Sequence, residues 1–247
     1  MDSVIERSKY RINQKIEALN FAKGYRQDRF VHIENFLRTT DAESLYRYMD
    51  REQRWRSFLV AKEELFEAEA DGISDGGGNH EMVVAALEGA RSGFAAFFEA
   101  SRWISDELCG DLSALSSIEI AIEEFVNSSG FLDLCREIAG VSELCRADAQ
   151  LVRFKAGHFV TYNGAIPTSE DAAKRRLAYS INLTPEWKPE WGGLLEFRRQ
   201  EGYLIEAVQP CFNALDLFDY PRGYWVSSVT SFCGGPRYSI NGHIYSE

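Results

Sequence analysis

The chain has 247 residues, 45% hydrophobic and 26% charged, the composition of a globular protein long enough to bury a sizeable core. A formal net charge of −11 argues against a nucleic-acid backbone as partner, and no apolar run approaches the roughly 20 residues of a membrane helix. Five widely spaced cysteines without a C-x-x-C pair argue against a disulfide framework or structural zinc, and the N-terminus lacks a secretory apolar stretch. A reduced, cytoplasmic protein of one domain, 1–247, is expected.

In chain order, residues 5–22 place apolar groups at loosely helical spacing among many charges and predict a surface helix. Phe30-Val31-His32-Ile33 reads as a short strand. Thr40-Asp41-Ala42-Glu43 has the T-x-x-E form of a capping box, opening a helix to about Met49. Residues 57–70 predict a weaker helix before the Gly- and Asp-rich loop 71–79. Met82–Ser101 and Ser117–Val126 read as good helices. Ser128 or Ser129 can cap another, from Gly130 to Ala139, ending at Gly140. Residues 1–146 are thus expected to be a mainly helical support region.

From about residue 147 the pattern changes. Leu177–Leu183 alternates large apolar with small or polar residues, the period of a strand with one buried face. Short β-type runs recur at Gln150–Phe154, His158–Tyr162, Leu194–Arg198, Tyr203–Val208, Ala214–Phe218, Tyr224–Val229 and Arg237–Tyr245, separated by Gly/Pro turns. Helices followed by about eight strands predict an α+β chain whose strands close into a sandwich or barrel.

Five segments, in order, carry a family resemblance: G157-H-F-V-T-Y, R176-L-A-Y-S-I-N-L-T-P-E-W187, P189-E-W-G-G-L194, P210-C-F-N-A-L-D-L-F218 and R237-Y-S-I-N-G242. Together they resemble the Fe(II)/2-oxoglutarate-dependent oxygenases of the prolyl-4-hydroxylase-like branch. The resemblance implies a double-stranded β-helix (jelly-roll) core over residues 147–247. It also implies an iron triad of two His and one carboxylate, with the first two ligands in an H-x-D motif. In this chain Asn163 stands where that His belongs and Ala165 where the Asp belongs, while Tyr224 takes the distal His position. No metal is therefore expected there, and Fe(II) is not an expected cofactor. The family's carboxylate anchor is matched by Arg237 and Ser239 in an R-x-S pattern, and a guanidinium suits bidentate pairing with 2-oxoglutarate or another carboxylate. By alternation Arg237, Ser239, Asn241 and His243 project into the barrel. The bland alternative pairs Arg237 with an internal acid such as Asp216.

Other features weigh less. His158 falls on the opposite face from Asn163, and an unusual metal site would need two of His158, His243, Asp216, Asp219 and Tyr224 to meet at one point. Glu186, Glu190 and Glu196 read as exposed charge around a structural turn. Trp187, Trp191 and Trp225 read as core or rim, with Trp225 a candidate for the pocket mouth. Cys211 and Cys233 have no catalytic surroundings, Gly76-Gly77-Gly78 is no phosphate loop, and Lys174-Arg175-Arg176 is too small a patch for nucleic acid.

Three readings follow. The first is a degenerate oxygenase-fold protein without the usual iron, binding a small carboxylate or a protein partner, with a homo- or hetero-dimer as the candidate assembly. The second is a metal-free isomerase, cyclase or lyase with Tyr224 as acid/base, Asn163 as orienting group and Arg237 as carboxylate anchor. The third is an Fe(II)/2-oxoglutarate hydroxylase with non-standard ligands.

Overall fold

The computed structural model describes residues 8–51, 53–61, 64–70, 79–104, 115–163, 173–198 and 205–247. In chain order they form α1 (Ala18–Asp28), β1 (Phe30–Ile33), α2 (Thr39–Arg51), β2 (Arg56–Ala61), β3 (Glu64–Glu69), α3 (Asn79–Gly89), β4 (Ala95–Ala100), α4 (Ser117–Val126), α5 (Ser129–Ala139) and β5 (Leu144–Ala147). There follow β6 (Gln150–Phe154), β7 (Phe159–Asn163), β8 (Arg175–Asn182), a 3-10 turn (Pro189–Trp191), β9 (Leu195–Arg198), β10 (Ile205–Val208), β11 (Ala214–Asp219), β12 (Tyr224–Val226) and β13 (Arg237–Ser246).

Strands β6, β13, β8 and β11 hydrogen-bond into one antiparallel wall, and β7, β12, β9 and β10 into a second. Strand β4 joins the walls, pairing β6 at Glu99↔Arg153 and β7 at Ala96↔Val160. Strand β1 extends the first wall beyond β11. This curled sheet with helices on one side is the α+β jelly roll that the strand pattern predicts.

Both faces of the first wall are buried, for different reasons. Leu177, Tyr179 and Ile181 of β8 point outward and pack with Leu215, Leu217 and Ile240 against Tyr25 of α1, Leu45 and Met49 of α2, Phe125 of α4 and Phe131 of α5. Each such fully buried side chain contributes roughly 1.5–3 kcal/mol. Ala178, Ser180 and Asn182 point inward and are also buried. The small and polar positions of the alternation therefore face the barrel interior and not solvent.

The helix ends follow local chemistry. Ser128 caps α5 by accepting from the Phe131 amide, and Gly140 ends it at φ 70°. Ser116 and Glu119 form a reciprocal capping box at α4. The expected box at Thr40–Glu43 is not the start of α2, because that helix already begins at Thr39.

Several N-terminal expectations are corrected. Within 8–22 the helix begins only at Ala18, and the preceding segment runs alongside Leu37 through an Ile12 bridge. Where a helix is expected over 57–70, β2 and β3 pair antiparallel, and Arg56–Ala61 alternates between half-buried and buried positions. The predicted Met82–Ser101 helix stops at Gly89, and Ala95–Ala100 is strand β4. That strand is buried on both faces, so its apolar run shows no period to distinguish it from a helix. The first 146 residues thus supply strands as well as helices. Loop residues 71–78 lie outside the described residues. Among the described residues no helix is long and apolar enough to cross a membrane.

Candidate functional site

Between the two walls lies a cavity of about 280 Å³. Its apolar lining includes Phe98, Val152, Phe154, Val160, Leu195 and Phe218, and its polar lining is Gln150, Ser180, Tyr224, Arg237, Asn241 and His243, with Trp103 and Tyr179 also present. A mostly apolar pocket with a few convergent polar groups is the usual form of a small-molecule site.

Register explains how the polar groups converge. Gln150 pairs with Asn241, Asn241 with Ser180, Ser180 with Asp216, and Asp216 with His32. One row of polar residues therefore crosses five strands on the inner face. Several of its atoms are buried without a hydrogen-bond partner: Ser180 Oγ, Asn241 Oδ1, and in the flanking positions Ser239 Oγ, His243 Nδ1 and Arg237 Nε. Buried polar atoms normally find partners, so a cluster of orphans around a cavity marks a place for a polar ligand.

Arg237 is the centre of this arrangement. It is 2% exposed, donates from Nη1 to the Gly193 carbonyl at 2.9 Å and from Nη2 to Asn182 Oδ1 at 3.3 Å, and has no carboxylate within 4.0 Å among the described residues. Burial pulls its guanidinium down to about 10, partly offset by the charge of Asp216. The Gly193 carbonyl is aimed by the tight turn Gly192-Gly193. There φ is +67° and +65°, a Cβ on Gly192 would sit 2.1 Å from the Ser228 oxygen, and Trp187 Nε1 donates to the Gly192 carbonyl at 2.8 Å. The W-x-P-E-W-G-G segment is structural, as the sequence suggests, and Glu186 and Glu190 are exposed while Glu196 is half-buried.

The bland alternative for Arg237 is replaced by an indirect link. Asp216 accepts from Asn182 Nδ2 at 2.6 Å and pairs with His32 Nδ1 at 2.6 Å. Asn182 thus stands between the arginine and the acid. The hydrogen bond to Asp216 raises the His32 pKa, against the effect of burial.

Tyr224 lines the cavity, and burial raises its phenol pKa above the usual value. Its backbone is registered directly opposite Asn163 of β7, the other described residue that the resemblance sets at a triad position. Ala165 lies outside the described residues. Ser239 is fully buried with an unpartnered hydroxyl but is not part of the lining, unlike Arg237, Asn241 and His243. His243 stands 3.8 Å from Asp148 and packs edge-on to Tyr220. Asp148 accepts from the His243 amide at 2.6 Å and from Tyr245 Oη at 2.5 Å; although burial pushes upward, these bonds and His243 hold its carboxyl low.

The remaining metal candidates are occupied elsewhere. His158 packs on Phe97, and burial drives its pKa down to about 3. Asp219 binds Tyr25 Oη and Arg29, and Asp216 is taken by His32 and Asn182. Trp225 packs edge-on to Tyr162 instead of lining the pocket, because alternation sends it to the face opposite Tyr224. A group outside the residues weighed from the sequence also stands out: His32, Glu34 and Cys211 bring three ligand atoms within 4.8 Å of one another. Sequence reasoning missed this group, and it missed Asn182 and Asp148. The signal for Asn182 was present in the small and polar positions of Leu177–Leu183. Nothing local marks Asp148, and in the His32 group Cys211 lies far along the chain from His32 and Glu34.

Residues 151–245 match the model of the 2OG-Fe(II) oxygenase superfamily. No curated protein matches the chain. Among solved structures, a Pseudomonas putida prolyl-4-hydroxylase aligns at a TM-score of 0.60 with 14% identity, covering 94% of this chain and 100% of that one. An oxidoreductase of the 2OG-Fe(II) oxygenase family from Burkholderia pseudomallei aligns at 0.63 with 11% identity, covering 95% and 93%. The non-heme alpha ketoglutarate dependent epimerase SnoN from nogalamycin biosynthesis aligns at 0.55 with 14% identity, covering 93% and 80%. The chain thus resembles the Fe(II)/2-oxoglutarate oxygenase superfamily through residues 151–245 in sequence, and shares its fold over nearly its whole length with solved structures that include a prolyl-4-hydroxylase.

Proposed function

We propose that this chain uses the oxygenase barrel as a pocket for a small carboxylate of the 2-oxoglutarate class, without iron at the usual triad positions. The observation that carries this reading is Arg237, a buried cation with no carboxylate beside it among the described residues and an unpartnered Nε at a cavity. A carboxylate arriving there supplies the missing counter-charge by a charge-assisted pair, and Ser180 and Asn241 offer further polar contacts.

Of the two groups the family implies, 2-oxoglutarate fits this donor set and Fe(II) does not. The triad positions supply an amide at Asn163, a methyl at Ala165 and a phenol at Tyr224 whose proton burial helps to retain. An amide oxygen is a weak neutral ligand, and the alanine at the carboxylate position offers no donor. The chain then acts as a binding or partner protein. The free thiols at Cys135, Cys145, Cys211 and Cys233 suit a reducing compartment such as the cytoplasm.

A second reading is favoured by Tyr224 lining the same cavity as Arg237 with its phenol pKa raised by burial. A protonated phenol can donate to a carboxylate substrate held by Arg237, which is the arrangement a metal-free isomerase, cyclase or lyase needs. Anaerobic titration with Fe(II), with and without 2-oxoglutarate, followed by calorimetry and by the iron–oxoglutarate absorption band, tests both. Carboxylate binding without iron is the expected result. Stoichiometric iron with the absorption band overturns both readings and makes the chain a hydroxylase with non-standard ligands.

A further inference from the structure

The group formed by His32, Glu34 and Cys211 is separate from the triad positions, and its argument does not rest on the carboxylate reading. His32 lies in edge strand β1, Glu34 directly after it and Cys211 just before β11. We propose that these three residues bind a divalent transition-metal ion of the zinc class, with Asp216 as the positioning residue for His32.

Geometry is the first argument. The three ligand atoms lie within 4.8 Å of one another. A tetrahedral site with bonds of about 2.0–2.3 Å separates its ligands by roughly 3.3–3.7 Å, a distance that small side-chain rotations reach.

The second argument is the orientation of the imidazole. His32 Nδ1 is 2.6 Å from Asp216 Oδ1, and Asp216 is itself 1% exposed and fixed by Asn182. A carboxylate holding Nδ1–H sets the tautomer and leaves the lone pair on Nε2, the arrangement that accompanies most metal-bound histidines.

The third argument is that the two ligand-bearing segments are clamped together. Asn213, two residues after Cys211, sits at φ 59° and makes reciprocal side-chain bonds with the Leu37 amide and carbonyl, each 2.8 Å. The Phe36 amide donates to the Asn213 carbonyl, also at 2.8 Å. The loop after Glu34 and the loop carrying Cys211 are thus held in fixed register, so an ion would bind a preformed site.

Ligand chemistry selects the ion. Imidazole and thiolate disfavour Mg²⁺ and Ca²⁺, which take oxygen donors, and favour Zn²⁺ and its neighbours. Three protein ligands leave a fourth position for water, and the partial exposure of His32 and Cys211 with the exposure of Glu34 provides entry.

The test is a Co²⁺ titration of the full chain, read by the thiolate-to-metal absorption in the near ultraviolet, followed by displacement with Zn²⁺. One equivalent should bind with that band. Cys211→Ser should abolish the band and Glu34→Gln should weaken Zn²⁺ binding; both residues are at least partly exposed, so folding should survive. Asp216→Asn should weaken Zn²⁺ binding by about 10–100-fold with the band retained. Cys145→Ser should leave band and affinity unchanged. Absence of the thiolate band, its survival in Cys211→Ser, or its loss in Cys145→Ser overturns the proposal.

Discussion

Strand β8 presents two buried faces that follow opposite rules. On the outer face, Leu177, Tyr179 and Ile181 are packed against the helices, and the one polar atom, Tyr179 Oη, donates to the Asp148 carbonyl at 2.7 Å. On the inner face, Ser180 Oγ has no partner, and Asn182 spends its amide bridging Arg237 to Asp216. The outer face is complete as it stands. The inner face carries desolvated polar atoms that no protein group satisfies, which costs stability unless a ligand supplies the bonds. Burial alone therefore does not separate the two faces of this strand; hydrogen-bond satisfaction does.

That contrast can be tested by size of effect. The largest concerns His158, buried against Phe97 with an unpartnered Nδ1 and its pKa driven down to about 3. The unfolded chain takes up this proton below about 6.5, whereas the folded chain does not until about 3. Stability should therefore fall by several kcal/mol as pH drops through that window, and His158→Phe should flatten the slope in urea unfolding measured at several pH values. A slope unchanged by the substitution would remove the claim that this histidine is a neutral core residue.

On the outer face of β8, Ile181→Ala should cost about 3 kcal/mol of unfolding free energy, because the complete packing there cannot collapse around the lost atoms. Carboxylate affinity should change little, since Ile181 does not line the cavity. A matching loss of binding would mean that the two faces are not separable.

On the inner face the signs should reverse. Arg237→Met should change stability by no more than about 1 kcal/mol, because it removes a buried charge without a carboxylate partner, while abolishing carboxylate binding. Ser180→Ala should be smallest: removing an orphaned hydroxyl should leave unligated stability equal or up to about 1 kcal/mol higher, and thermal unfolding with and without 2-oxoglutarate would show a reduced ligand shift.

The second half of the fold was legible from sequence because its strands alternate and glycine or proline turns punctuate them. The first half was less so. Strand β4, buried on both faces, has no period, and the β2–β3 pair carries charges that also suit a helix. In the site, Arg237 was legible as a candidate because its R-x-S pattern matches the carboxylate anchor of the resembling family, with a pair to Asp216 as the alternative. Its environment was not, because the Gly193 carbonyl, Asn182 and the Asp216–His32 pair are brought together by register between distant strands. The cluster at Cys211 was hidden for the same reason, since Cys211 is brought to His32 and Glu34 through the Asn213 clamp and not by sequence spacing.

The central claim is that Arg237 anchors a carboxylate without iron. The most direct measurement is calorimetric titration of 2-oxoglutarate into chelator-treated protein, wild type beside Arg237→Met. The account predicts one equivalent bound by the wild type and none by the variant. Binding that appears only after Fe(II) is added, or that persists in Arg237→Met, would contradict it.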